Sequence, residues 1–291
     1  MSQRTEEAAP IEGPLAIVCG GGSLPYVVAD AALAQGRRVL LFALRGFADP
    51  LRVEAYPHHW ARLGGLGRFC RIARREGCRE VVFIGSAVRP ALRHLWPDFG
   101  AIRILPRIIR MFAGGDDHLM SSVIKIFEDR GFRPLGAHDI APEILLPAGA
   151  LGGFEPSGRQ RQDIGLGLSL LRATGPFDVG QATIVAGNRV LAVEGADGTD
   201  EMLSHVADLR RRGRIRAGGG VLIKAPKPNQ DRRVDLPTIG PQTVEGAVRA
   251  GLGGIAGSAG SVMVAEAERV RNAADRAGIF VAGVAEHRVP A

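Results

Sequence analysis

The stretch KAPKPNQDRRVDLPTIGPQT, residues 224–243, sets two lysines, two arginines, two aspartates and four prolines close together. Prolines at 226, 228 and 237 exclude a helix interior, because each lacks a backbone N–H and clashes with the preceding turn. An extended or looped ledge is expected instead. Asp231 and Asp235 are four residues apart, so both fall on one face of the chain whether it is extended or helical. Two carboxylates can hold Mg²⁺, which keeps part of its water shell and takes its remaining ligands from substrate phosphate. Lys224, Lys227 and Arg233 stand beside them, and cations of this kind clamp phosphate oxygens. Together these groups could cleave a phosphoanhydride. The alternative is a surface loop of mutually neutralising ion pairs, each worth little.

Other stretches offer polar groups at element ends. In VEGADGTDEML, 193–203, a strand ends in Glu194 and a glycine-rich turn delivers Thr199 and Asp200 to a helix start. Thr or Asp there also reads as an ordinary N-cap. CGGGSLP places Gly20, Gly21, Gly22 and Ser23 between a strand and a helix. The dinucleotide fingerprint fails, since Pro25 stands where its last glycine is needed and the second strand ends in Arg45-Gly46, not an acid. The turn reads either as an anion site at a helix N-terminus or as a plain strand-to-helix turn. Ser86 in GSAVRP and Asp116 and Asp117 in GGDDH follow further strands, where ligands of parallel sheets bind. Neither HExxH, zinc spacing nor a GxSxG elbow occurs.

Positioning these groups requires two halves of different texture. In the first, LAIVCGGG, RRVLLFALRG and EVVFIG read as buried strands, and LPYVVADAALAQG, GRFCRIARREG, AIRILPRIIRMFAGG and DDHLMSSVIKIFEDRG read as helices. FRPLGAHDI then returns to the sheet. This alternation predicts an α/β, Rossmann-like open parallel sheet over 13–145, after a flexible leader, 1–12. The Gly/Pro-rich run at 146–162 reads as a linker. A smaller mixed α/β domain is expected over 163–291. It contains a hairpin turning at Gly187-Asn188, a helix from Thr199, the strands GGVLIKA and GSVMVA, and helices near TVEGAVRAGL and AERVRNAADRAG.

At 46% hydrophobic residues the chain is globular, and no apolar run reaches the length of a membrane span. The polar start lacks a signal-peptide pattern. Cys19, Cys70 and Cys78 form no CxxC pair, which suits a reducing cytoplasm. Net charge +7 points to a polyanion, a membrane surface or a phosphorylated small molecule. Aromatic content of 5% leaves few stacking platforms, and no nucleic-acid motif is present, so nucleic acid is not an expected partner. LRRRGRIR, 209–216, reads as a solvated helix end or as a patch for anionic headgroups.

GGGSLP, DVGQATIV (178–185), AVEGADGTDEML (192–203) and IKAPKPNQDRRVDLPTIGPQT (223–243) together resemble the UDP-2,3-diacylglucosamine pyrophosphatases of the LpxI type, from about Gly13 to the last helix. The resemblance implies hydrolysis of the pyrophosphate of an acylated UDP-sugar to UMP and lipid X, 2,3-diacylglucosamine 1-phosphate, in lipid A biosynthesis. It further implies a Mg²⁺-dependent, two-domain, cytoplasmic enzyme. On that basis Asp200, Asp231 and Asp235 hold Mg²⁺ or orient water. Lys224, Lys227 and Arg233 neutralise the diphosphate, and Gln181 and Thr199 bind phosphate or sugar hydroxyls. The glycine loop, Ser86 and Asp116 or Asp117 meet the rest of the substrate. Peripheral contact with the inner membrane is expected, and a homodimer is allowed. The alternatives are a non-catalytic lipid or nucleotide-sugar binding protein, which turnover separates from the enzyme, and an NAD(P)-dependent oxidoreductase, which Pro25 and Arg45 oppose.

Overall fold

The computed structural model describes residues 13–86, 116–228 and 230–285. The chain divides into two compact units. Among the described residues the first holds 13–86 and 122–141, and the second holds 116–121 and 142–285.

The first unit runs β1 (Leu15–Cys19), α1 (Leu24–Ala34), β2 (Val39–Leu44), α2 (Pro50–Val53), β3 (His58–Ala61), α3 (Leu66–Arg75), β4 (Glu80–Ile84), the part from residue 122 onward of α4 (Asp116–Glu128), β5 (Arg133–Leu135) and α5 (Ala137–Ile140). Its strands form one sheet in the order β3-β2-β1-β4-β5, and every pair is parallel. Parallel strands are covered on both faces and so read as continuous apolar runs. VLLFAL in β2 is buried throughout. Phe42, Phe69, Phe127 and Phe132 pack ring on ring, with Phe42 and Phe69 4.2 Å apart. The strand β3 was not expected. Its sequence, HHWA, is half-buried at the sheet edge and carries no apolar run. The helix expected over AIRILPRIIRMFAGG lies outside the described residues.

The second unit continues with β6 (Gly149–Ala150), α6 (Gly158–Thr174), β7 (Ala182–Val185), β8 (Val190–Val193), α7 (Thr199–Arg211), β9 (Val221–Lys224), β10 (Thr238–Ile239), α8 (Pro241–Arg249), β11 (Gly254–Ser258), β12 (Met263–Val264), α9 (Ala267–Ala277) and β13 (Phe280–Val284). The main sheet has the order β13-β11-β9-β7-β8. β9, β11 and β13 are parallel, while β7 runs antiparallel to both its neighbours. The expected hairpin is present: Gly187 (φ +60°) and Asn188 (φ +63°) both take the left-handed conformation that a tight hairpin turn needs. Buried Asp163 of α6 accepts both their backbone N–H groups, at 3.1 and 2.6 Å. Ile164 and Leu171 of α6 cover one sheet face, against Val221 and Ile223. Helices α7, α8 and α9 cover the other, against Ile184, Leu222 and Ile255.

Three expectations change here. Among the described residues the second unit is the larger, not the smaller. GSVMVA supplies only the short β12, which pairs with β10 in a separate two-stranded sheet. The stretch 146–162 is not a linker. Leu146 is fully buried, donates to the Val262 carbonyl at 2.8 Å and accepts from Gly260 N–H. Ala148 bridges to Gly283, Leu151 donates to Val281, and residues from Gly158 onward open α6. A Cβ on Gly283 would lie 1.9 Å from the Pro147 carbonyl oxygen, so glycine there permits backbone to lie on backbone. The division between units falls after Ala141.

Candidate active site

Lys224 ends β9, the central strand of the second unit's sheet. Alternation along the strand sends Val221 and Ile223 towards α6, and Leu222 and Lys224 towards α7 and α8. The lysine stem therefore continues the core and its ammonium group surfaces at the start of α7. Lys224 Nζ donates to Thr199 Oγ1 at 2.9 Å and to the Thr238 carbonyl at 3.1 Å. Burial pushes its pKa below the ordinary lysine value, and the carboxylates of Glu194, Asp200 and Asp235 pull it back.

From Lys224 a continuous set of hydrogen bonds spreads across the carboxyl end of β9. Thr199 Oγ1 donates to Glu194 Oε1, and Glu194 Oε2 accepts from Gln181 N–H at 2.6 Å. Gln181 Nε2 donates to Asp235 Oδ2 at 2.9 Å, and Gln230 Nε2 donates to the same oxygen. Gln230 Oε1 in turn accepts from Lys227 N–H at 3.0 Å, and Lys227 Nζ pairs with Asp178. A glycine at 180 is required, because a Cβ there would lie 2.5 Å from Glu194 Cγ.

Thr199 is not the cap of α7. Gly198 holds that position with φ +88° and no capping side chain, which leaves the threonine hydroxyl to link Lys224 and Glu194. The opening of α7 and the buried ammonium group are both electropositive, so neither stabilises the other. The nearby carboxylates of Glu194 and Asp235 balance part of this positive charge. Asp200, exposed in the first turn, offsets part of that charge.

Both aspartates of the stretch accept hydrogen bonds from neighbouring side chains. Asp231 is held by Arg233, which donates from Nε to both carboxylate oxygens at 3.0 and 3.2 Å and from Nη2 at 2.7 Å. These bonds hold the Asp231 carboxyl below its usual range. Asp235 is held by the two amides. Among the described residues no group of three His, Cys, Asp or Glu side chains could hold a metal ion. Asp200, Asp231 and Asp235 are thus not gathered into one three-carboxylate group in this structure.

In the first unit Gly21 and Ser86 do meet, through paired backbone bonds of 2.7 and 2.9 Å. Those bonds, with Gly20 N–H donating to Ile84, use the N–H groups expected to cradle an anion. Gly20 is needed for close approach, since a Cβ on it would lie 2.7 Å from the Ser86 carbonyl. Gly22 takes the left-handed conformation (φ +87°), and Ser23 Oγ is buried with no hydrogen-bond partner among the described residues. Asp116 and Asp117 open α4, and their side chains lie outside the described residues.

Glu194, Asp178 and Gln230 were not among the expected site residues. The signal for Glu194 was its place at a strand end before a glycine turn. For Asp178 and Gln230 no spacing marks the contact, which depends on how the loops fold together.

The family model of the LpxI N-terminal domain matches residues 14–144, and that of the LpxI C-terminal domain matches 147–282. The chain is 44% identical over 272 residues to a protein of Caulobacter vibrioides named UDP-2,3-diacylglucosamine pyrophosphatase LpxI, covering 93% of this chain and 97% of that one. With both domain models matched in order and identity of this extent, the chain belongs to the LpxI family.

Proposed function

We propose that this protein hydrolyses the pyrophosphate of UDP-2,3-diacylglucosamine to UMP and 2,3-diacylglucosamine 1-phosphate, in lipid A biosynthesis. The observation that carries this is 44% identity over nearly the whole of both chains to a protein named for that activity. The geometry supports it. A diphosphate would be drawn to Lys224 and the opening of α7, in a partly dehydrated site where such attraction is strong. Lys227 neutralises further phosphate charge. Asp235, held in place by Gln181 and Gln230, orients the attacking water. Asp231 acts through Arg233, whose guanidinium group it holds towards the substrate.

Mg²⁺ stays in the proposal with the diphosphate's own oxygens, not the three aspartates, as its main ligands. Strand order β3-β2-β1-β4-β5 supports the Rossmann-like description of the first unit, and Gly22 and Ser23 are its contacts to substrate. A diacylated substrate also argues for peripheral contact with a membrane, and a homodimer remains compatible. The test is UMP release from UDP-2,3-diacylglucosamine with and without EDTA. Stoichiometric UMP, lost on chelation, is expected. Binding without turnover would make the protein a carrier.

A further inference from the structure

We infer that Phe177 is a specificity-determining contact for an acyl chain of the substrate, an inference that rests on the hydrolase reading above. Among the described residues of the second unit, Phe177 is the most exposed large apolar side chain, at 78%. Its turn is fixed. Gly175–Phe177 forms a single 3-10 turn directly after α6, and Gly175 lies against Pro228, where a Cβ would come 2.4 Å from the proline ring. The next residue, Asp178, closes the turn in the left-handed conformation (φ +53°) and pairs with Lys227. The turn thereby holds an exposed aromatic residue next in sequence to the carboxylate that pairs with Lys227, a cation of the proposed diphosphate site.

Location separates this ring from the other exposed apolar groups. Ala182 of β7 pairs with Lys224 of β9, so residues 175–181 lie at the same end of the sheet as the Lys224 network. Phe154 follows Gly153, which is tied to Asp275 of α9, and Val248 sits at the far end of α8. A diacylated sugar phosphate carries apolar chains within a sugar's width of its phosphate. Phe177, in a turn that packs on Pro228 through Gly175 and precedes the Asp178 partner of Lys227, offers the matching apolar surface. A bare phenylalanine gains nothing from water, and covering it with an acyl chain is favourable in proportion to the area hidden.

The test compares kcat/KM for UDP-2,3-diacylglucosamine and for a short-chain diacyl analogue in detergent micelles, using wild type, Phe177→Ser and Phe177→Leu. Phe177→Ser should reduce the long-chain preference about tenfold, through KM more than kcat, and Phe177→Leu should restore most of it. Substrate-free vesicles of phosphatidylethanolamine and phosphatidylglycerol should bind wild type and Phe177→Ser alike. An unchanged chain preference overturns the inference. If vesicle binding falls at the same time, the ring is a bilayer anchor. Should wild type turn over neither substrate, the hydrolase reading fails instead. Binding of 2,3-diacylglucosamine 1-phosphate then tests Phe177 independently, with weaker binding by Phe177→Ser expected and equal binding contradicting it.

Discussion

Lys224 combines two properties that rarely coexist, a charged group and a core position. Its lowered pKa says that burial outweighs the three nearby carboxylates, so the ammonium group is not there for stability. Lys224→Met keeps the stem's volume and should lose on the order of 10²-fold in kcat, as removal of one preorganised charge does elsewhere. Its Tm should stay within a few degrees of wild type, and a collapse of the fold on thermal melting would contradict this. Asp231 is the opposite case. Its folded pKa is depressed, so its pairing with Arg233 contributes stability above the unfolded value near 3.8 and loses it as pH falls through the folded pKa. Asp231→Asn should therefore be less stable by about 1 kcal/mol at neutral pH, with the two denaturation curves converging in acid. At this scale much was legible in the sequence. The motifs brought Lys224, Thr199, Gln181 and Asp235 into one network. What escaped was pairing: Asp231 is held by Arg233, while Asp235 accepts from Gln181 and Gln230, and no spacing in the stretch marks these contacts.

Elements were legible wherever apolar runs or turn signals were clean, as in β1, β2, β9 and the β7–β8 hairpin. They were hidden where glycine serves packing. The strand β11, GIAGS, was not expected, and its Gly254 and Gly257 are glycine because the Phe280 ring and the Leu146 and Val262 side chains occupy the space of a Cβ. Residues 158–162 of α6 fell within the supposed linker, whose Gly/Pro texture hid the helix start, and further along Gly167 is glycine because Ile223 occupies the space of a Cβ. The start of α6 was nevertheless written in Ser157 and Gln160, which form a reciprocal capping box. The docking of 146–151 yields a direct test. Leu146→Ala should destabilise the protein by about 2–5 kcal/mol in chemical denaturation, as for a leucine in a closed core. A linker residue would cost almost nothing.

Across the whole chain, net charge +7 suggested an anionic partner, and the basic tract 209–216 was one candidate for its contact. Arg210 instead turns inward and donates to the carbonyls of Ala250 and Gly219, bolting the ends of α7 and α8 together. Arg211 and Arg212 pair with Asp208. The 13-residue helix α7 puts this tract about 20 Å from Thr199, at the end of the second unit away from the Lys224 network. Replacing Arg214 and Arg216 together by glutamate should therefore leave turnover in micelles within twofold of wild type, and a larger loss would place the tract in substrate handling. No helix of the described residues is long and apolar enough to cross a membrane. From the net charge of +7, contact with vesicles should be electrostatic and weaken steeply with salt in co-sedimentation. Salt-independent binding would mean an inserted apolar element. The central claim is that the network around Lys224 cleaves the pyrophosphate. It is tested most directly by following UMP release from UDP-2,3-diacylglucosamine with wild type and Lys224→Met, alongside the affinity of each for the diacylated product. The account predicts UMP and 2,3-diacylglucosamine 1-phosphate in equal amounts from wild type, and a loss of about 10²-fold or more in Lys224→Met, with product still bound. Near-normal UMP release by Lys224→Met would contradict it.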